Sequence, residues 1–582
     1  MTTLLPPRSP NETLLRRMQR LADACPDRPL FVYEPGRGQE AVSLSVGATH
    51  RRATAIAARL RELARQGDRV LLVQPTGLEF HVSFLAAVYA GMVAVPACLP
   101  GLREKRGDKG LNRISSIVSD CQPSVAISSG RGLALFRDVD SDPALVQLPL
   151  VASDEVSDSD AVGWREPDLA MDALAFLQYT SGSTSEPKGV LLTHSNIMAN
   201  QELIATKFAH SADTRIVSWL PVYHDMGLCC ALFQGVYCGA LSVLMPPLAF
   251  LMHPLRWLDT ISKYGGTVSG APNFAYELCV DRAREQDTSK LDLSSWALAF
   301  NGSEPVRQST MDRFATRFSD VGFNRRSFYP CYGLAEATLF VSGGTRGNGP
   351  IAKPFDRDAL TQRLVNSPKD ESASVVLVGC GHAFGDTAVR IVNPDTLTVC
   401  APGEVGEIWA ASPSIGIGYW NRPEVSPHTF EARLPGEPEL RFLRTGDLGF
   451  IEEGELFVAG RMKDLIIVHG ANHYPQDIER VAENAHPALA PNASAAFSID
   501  AGDGREQIVV ISEVVRGAKT ASPAELERAV RSAVAATLEL TLYGVTLVRP
   551  GSIPRTSSGK IQRGLCRQRY QREAFQDVEY VA

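Results

Sequence analysis

Between positions 179 and 189 the chain reads YTSGSTSEPKG, directly after the apolar run ALAFLQY. Glycine, small hydroxyl side chains and one lysine within a single loop are the ingredients of a phosphate cradle. Backbone N–H groups in such a loop form an anion-binding nest, hydroxyls add donors, and the ammonium adds a point charge. The stretch is not the G-x-x-x-x-G-K-[ST] loop of kinases and GTPases, because Lys188 lies beyond Pro187 and no second glycine precedes it. Taken alone, a Ser/Thr/Gly cluster is more often an ordinary surface turn. Four further stretches follow in order: YGLAE (332–336), TGD (445–447), GRMKD (460–464) and PRTSSGK (554–560). They supply carboxylates, an arginine and lysines, the groups needed to hold hydroxyls, cations and phosphates.

These residues need a scaffold, and the chain is long enough to supply one. At 582 residues it exceeds a single hydrophobic core, so at least two domains are expected. With 44% hydrophobic and 21% charged residues it has the composition of a folded globular protein. A formal charge of −7 and a pI near 6.0 argue against a nucleic-acid partner, which calls for a basic surface. The eleven cysteines show no C-x-x-C pair and no zinc-type spacing, which fits a reducing, cytoplasmic setting. No secretory signal is read at positions 1–10, and the apolar stretch 82–100 is broken by Gly91 and Pro96, so no membrane span is expected.

From about Ala53, helical patterns alternate with short apolar runs (ATAIAARLREL, RVLLVQ, FHVSFLAAVYAG, MVAVPA), which predicts βα units on a largely parallel sheet. After Ser374 the texture changes to period-two runs such as TAVRIV, GEIWAA and ELFVAG, predicting a more antiparallel β region. From Asp464 strands and helices alternate in a compact α+β unit. No repeat, long linker or appended carrier domain is read.

Taken together and in this order, the five motifs resemble the adenylate-forming superfamily of acyl-CoA synthetases, peptide-synthetase adenylation domains and luciferases, over nearly the whole chain. The resemblance implies an α/β fold: a large N-terminal domain (1–462) with parallel sheets and a β-rich subdomain, and a small mobile C-terminal α+β domain (463–582). It implies ATP and Mg²⁺. Thr180, Ser181, Gly182, Ser183, Thr184 and Lys188 would hold the β- and γ-phosphates, and Glu336 would bind Mg²⁺. Asn301, Gly302, Ser303 and Glu304 would line the base, with Tyr332 stacked on adenine beside Gly333 and Leu334. Asp447, supported by Arg461, would accept the ribose hydroxyls. Lys463 would be the hinge, and Lys560 would reach both carboxylate and α-phosphate. Without the motif context, Glu336 is a capping or surface carboxylate and Lys560 a solvated loop residue.

Within the superfamily the wording SWLPVYHDMGL (218–228), NGSEPV (301–306) and NHYPQDIE (472–479) is similar to the fatty acyl-AMP ligases, which pass the acyl group to a carrier protein. About fifty residues separate Glu336 from the strand near Thr387, more than a median loop and one short strand use. The excess, 347–374, coincides with an insertion that this family carries and that is thought to hinder transfer to CoA. The expected partners are a fatty acid and a holo acyl carrier protein, free or as a carrier domain of a polyketide or nonribosomal synthase. The alternative acceptor is CoA. His224 would lie beside the carboxylate and α-phosphate; otherwise it is a buried histidine satisfied by backbone. Val222, Met226 and Phe274 are candidates for an apolar acyl tunnel, although core packing explains them nearly as well. Arg563, Arg567, Arg569 and Arg572 read either as a docking face for an acidic carrier or as a solvated helix face. One departure stands out: Ser185 occupies a position that is usually glycine.

Overall fold

The computed structural model describes residues 5–36, 38–98, 109–130, 132–133, 147–180, 187–284, 286–371, 373–468, 471–500, 506–515, 521–556 and 559–575. Residues 181–186 of the phosphate loop therefore lie outside the described residues, and Ser185 with them.

Two sheets carry the large N-terminal part. The first has six strands in the order Leu150–Ala152, Val125–Ser128, Arg69–Val73, Val93–Ala97, Leu174–Thr180, Lys188–Thr193, parallel except for the last pair. The second has eight strands, from Phe340–Gly343 through Phe328–Gly333, Leu298–Asn301, Val268–Ala271, Arg215–Ser218, Leu241–Leu244 and Pro29–Tyr33 to Val42–Ser45. Only its two edge pairings are antiparallel. Strands buried on both faces call for continuous apolar runs rather than alternation, and LAFLQYT and RVLLV have that form.

The helix Leu78–Tyr89 is buried along its length except at Glu79. It has no polar face because it lies in one apolar cluster with residues of both sheets, including Leu72, Phe176, Phe31 and Leu244. The helix His194–Lys207 begins at a capping box in which Thr193 and Asn196 satisfy each other's backbone N–H groups.

The period-two runs after Ser374 form an antiparallel sheet of Ala388–Val392, Gly406–Ala411, Glu437–Glu452, Ala432–Leu434 and Glu455–Arg461. The segment 347–374 is structured rather than a plain loop. Ala352–Asp356 pairs antiparallel with Ser374–Val378, and the short helix Arg357–Thr361 is capped by the Asp356 side chain. Phe355 and Leu360 are buried there with Phe450, Phe457 and Tyr474, whereas Ile351 and Leu364 are exposed.

The C-terminal segment has its own core. Leu489–Asp500, Glu506–Val514 and Leu542–Val548 make a three-stranded sheet, covered by the helices Pro475–Asn484, Pro523–Leu538 and Arg563–Gln571. No helix among the described residues is long and apolar enough to cross a membrane.

Candidate active site

Thr180 and Lys188 face each other across an antiparallel pair, so the strands that flank the Ser/Thr/Gly stretch are neighbours at the edge of the six-stranded sheet. Lys188 Nζ lies 5.0 Å from the centroid of the Tyr419 ring, and the Tyr419 hydroxyl donates to Glu336 Oε1 at 2.8 Å. One aromatic side chain thus joins the motif lysine to the motif glutamate. Burial, and then Lys463, lower the Lys188 pKa, while Glu336 pulls it back up. This strand pair is anchored through Asp120: Tyr179 Oη donates to Asp120 Oδ2 at 2.6 Å and Arg422 Nη1 to Oδ1 at 3.0 Å. A Cβ at Gly189 would come within 2.9 Å of the Tyr179 ring, so glycine is needed near the start of the second strand. Ser181, Gly182, Ser183 and Thr184 lie outside the described residues.

A second group forms where the eight-stranded sheet meets the antiparallel one. Asp447 is 5% exposed and sits opposite Arg461 in register on neighbouring strands. Its Oδ2 accepts from Tyr332 Oη at 2.7 Å and its Oδ1 from Arg461 Nε at 3.1 Å. Burial and the Asp447 charge push the Tyr332 phenol well above its ordinary value. Gly333 has no alternative, since a Cβ there would lie 1.9 Å from the Leu339 carbonyl oxygen; the Leu334 N–H donates to that same oxygen at 2.8 Å. Asn301 ends its strand fully buried, and its Oδ1 has no partner among the described residues. Gly302 follows against Cys331, Ser303 takes φ +75°, and the Glu304 carboxylate accepts from the Phe274 N–H at 2.7 Å.

Lys560 reaches this group from the C-terminal segment. Its loop packs over Phe274, where a Cβ at Gly559 would come within 2.9 Å of the ring. Burial and Arg461 lower the Lys560 pKa, while Asp225, Glu304 and Asp447 raise it, so three carboxylates and a guanidinium surround the half-buried ammonium. His224 precedes the short helix Asp225–Gly227, and its imidazole is pushed down to about 3, first by burial and then by Arg113 and Lys560. Arg461 connects the two groups, because both Asp447 and Glu336 raise its pKa. Lys463 sits in the turn Met462–Asp464 directly after it.

The apolar candidates separate. Val222 belongs to the core between the sheets, whereas Met226 and Phe274 pack with Trp219, Phe250 and Trp257, the Trp219 and Phe250 rings stacking at 3.9 Å. Arg563 is not part of a basic face: its guanidinium is held by Glu479 and Asp464, while Arg567 and Arg572 are exposed. Tyr419, Asp120 and Arg113 are the contributors that no motif announced, whereas Asp225 stands within the SWLPVYHDMGL stretch directly after His224.

The chain matches the family described as AMP-binding enzyme over residues 18–420, and a Disco-interacting protein 2-like AMP domain over residues 463–579. It is 41% identical to the medium-chain-fatty-acid–[acyl-carrier-protein] ligase JamA of Moorena producens, across 96% of this chain and 95% of JamA. It is 36% identical to the long-chain-fatty-acid–AMP ligase FadD26 of Mycobacterium marinum, across 97% and 98% of the two chains. Among solved structures it is similar to a fatty acyl-adenylate ligase from L. pneumophila in complex with acyl adenylate and pyrophosphate. That likeness has a TM-score of 0.75 and 36% identity, and it covers 96% of each chain.

Proposed function

The chain belongs to the fatty acyl-AMP ligase family of AMP-binding enzymes, and from that premise we propose that it joins a fatty acid to AMP and hands the acyl group to a holo acyl carrier protein. In the first half-reaction the fatty carboxylate attacks the α-phosphorus of ATP, a C–O–P linkage forms, and the bond to pyrophosphate breaks. In the second, the phosphopantetheine thiol attacks the acyl carbonyl and AMP leaves. Both partners of the first step are anions, so oriented donors and cations carry most of the catalysis.

The observation that carries this reading is the placement of Lys560, brought by the C-terminal segment among Asp225, Glu304 and Asp447 and beside His224. There its ammonium would bridge the incoming carboxylate and the α-phosphate. His224, kept neutral by burial, would add a donor to the same developing charge. Asp447 keeps lone pairs for two ribose hydroxyls after accepting from Tyr332 and Arg461, and the unpartnered Asn301 Oδ1 suits a donor on the base. Thr180 and Lys188, with the residues between them, would hold the β- and γ-phosphates. Glu336 has one oxygen beyond its bond to Tyr419, a donor set suited to Mg²⁺ shared with phosphate oxygens. When bound, Mg²⁺ neutralises phosphate charge. A turn of the backbone at Lys463 would then withdraw Lys560 and admit the thiol.

Mass spectrometry of products from a fatty-acid panel tests the reading, with ATP alone, with CoA, and with several holo carrier proteins. Acyl-AMP and acyl-carrier without acyl-CoA are expected. Efficient acyl-CoA formation would replace the carrier with CoA as acceptor, and absence of acyl-AMP would remove the activity altogether.

A further inference from the structure

Lys560 stands on a short irregular loop, not on a helix or strand of the C-terminal sheet. The loop closes on itself: Thr556 N–H donates to the Lys560 carbonyl at 2.7 Å, Lys560 N–H to Thr556 Oγ1 at 3.0 Å, and Gln562 N–H to the Pro554 carbonyl at 2.9 Å. Arg555 fastens the loop to the sheet, its Nη1 donating to the Gly559 carbonyl at 3.0 Å and its Nη2 to the Asn492 carbonyl on Leu489–Asp500. These ties fix the loop on the sheet, and a separate one reaches the turn on the hinge side.

Arg563, three residues on, is the first residue of the helix Arg563–Gln571. Its Nε and Nη2 donate to the two Glu479 oxygens at 2.6 and 2.7 Å, and its Nη1 donates to Asp464 Oδ2 at 3.1 Å. Glu479 lies on Pro475–Asn484 and accepts in addition from the Ala496 N–H at 3.0 Å, so it is tied to the central sheet. Asp464 ends the turn Met462–Asp464 immediately after Lys463. The Glu479 side chain is 4% exposed and that of Asp464 17%. One planar guanidinium therefore joins three separate pieces: the lysine loop, the helix seated on the sheet, and the start of the segment beside the proposed hinge. Only arginine offers a fork that spans a bidentate carboxylate and a third acceptor together.

We propose that Arg563 is a positioning residue for adenylation, which with Glu479 and Asp464 locks the Lys560 loop to the hinge-side turn so that ammonium and segment move as one rigid piece. The inference rests on the proposed role of Lys560 and deepens it. A lysine at 563 keeps charge and one contact but loses the fork. Asp464→Asn leaves the Glu479 pair whole and weakens only the hinge-side arm.

The test measures pyrophosphate exchange and, separately, transfer from supplied acyl-AMP to a holo carrier, on full-length Arg563→Lys and Asp464→Asn with melting curves taken alongside. Small misplacement of a catalytic group costs on the order of 10- to 100-fold in rate. Arg563→Lys is therefore expected to lower kcat of adenylation by about tenfold or more, with KM for ATP and fatty acid within about twofold and transfer nearly unchanged. Asp464→Asn is expected to show the same split in smaller measure, and it carries the test if Arg563→Lys fails to fold. Equal loss in both half-reactions would make the ion pairs merely structural, and unchanged adenylation would remove the positioning role; either result overturns the inference. A wild-type chain that makes no acyl-AMP would instead overturn the proposed function.

Discussion

Removing the aromatic anchor of the 347–374 segment tests what that segment does. Phe355 is 4% exposed, with its ring centroid 4.9 Å from Phe450 and 5.1 Å from Phe457, and Leu360 is 3% exposed in the same cluster. Truncating a buried phenylalanine to alanine costs about 3–5 kcal/mol and a buried leucine about 2–5 kcal/mol. Because the two share neighbours the losses do not simply add, and roughly 5 kcal/mol is a fair figure for Phe355→Ala with Leu360→Ala. That is enough to loosen the segment locally. It matters beyond the segment because the same cluster holds Tyr474, Asn472 Nδ2 donates to the Thr361 carbonyl at 2.9 Å, and Arg357 Nη1 donates to the Thr537 carbonyl at 3.0 Å. Each such bond contributes about 1 kcal/mol. Together they tie the C-terminal segment to the large part in the pose that presents Lys560. Loosening them should let the small segment reach other poses, so the folded double variant is expected to form acyl-CoA while adenylation persists. Leu364, 42% exposed, serves as the control, and Leu364→Ser should leave acceptor choice unchanged. Steady-state assays with CoA, read by mass spectrometry, decide the matter. Accumulating acyl-AMP with no acyl-CoA would refute the argument and leave a missing CoA pocket as the reason for exclusion.

Four other outcomes are expected. Lys560→Ala should lower adenylation by about 1,000-fold, the worth of one charge about 4 Å from a phosphate at an effective dielectric constant near 20, while transfer from supplied acyl-AMP survives; equal loss in both would contradict the role. His224, held near 3, is neutral throughout the working range, so His224→Gln should lower adenylation by about 100-fold without altering the shape of its pH profile. An acidic limb near 6.5 that vanished in the variant would refute this. The same depression has a stability consequence: below 6.5 the unfolded chain takes up a proton that the folded one refuses, so stability erodes as pH falls from 6.5 toward 3, and the melting temperature of His224→Gln should fall less steeply there. Finally, Arg567→Glu with Arg572→Glu, both exposed, should raise the KM for an acidic carrier and spare adenylation, with the wild-type KM rising with salt; an unchanged KM at low salt would leave these arginines as solvent-facing residues.

The alternation of apolar runs made a largely parallel sheet legible, though not its division into a six-stranded and an eight-stranded sheet, and the switch to period two marked the antiparallel sheet, because pattern reports burial and burial follows layer. The motif residues were legible for a different reason. Phosphate, ribose and cation each demand a particular donor or acceptor within a few residues of a turn. What stayed hidden are partners brought from far along the chain. Tyr419 meets Glu336 across 83 positions, Asp120 meets Arg422 across 302, and Arg563 meets Glu479 across 84. Nothing local distinguishes Arg563 from the exposed arginines after it, so a tail of basic residues reads as one face when its first member is an internal tie. The short strand and helix at 352–361 were hidden likewise, since their apolar side chains become an anchor only when Phe450 and Phe457 arrive from another strand.

The charges of the site point in one direction. Lys188 is depressed by burial and then by Lys463, and Lys560 by burial and then by Arg461, so cations are held closer together than they would choose in water. Facing them, Asp225 and Glu304 have their pKa values raised by burial, while Lys560 pulls both back down. A cleft built this way has unspent attraction for an anion, and a nucleoside triphosphate supplies several negative charges in a line. The same arrangement bears on the proposed withdrawal of the lysine. Once pyrophosphate has gone, an ammonium left against the acyl phosphate would occupy the approach a thiol needs. Carrying Lys560 on a separate segment, rather than on either large sheet, would let it withdraw once pyrophosphate is released.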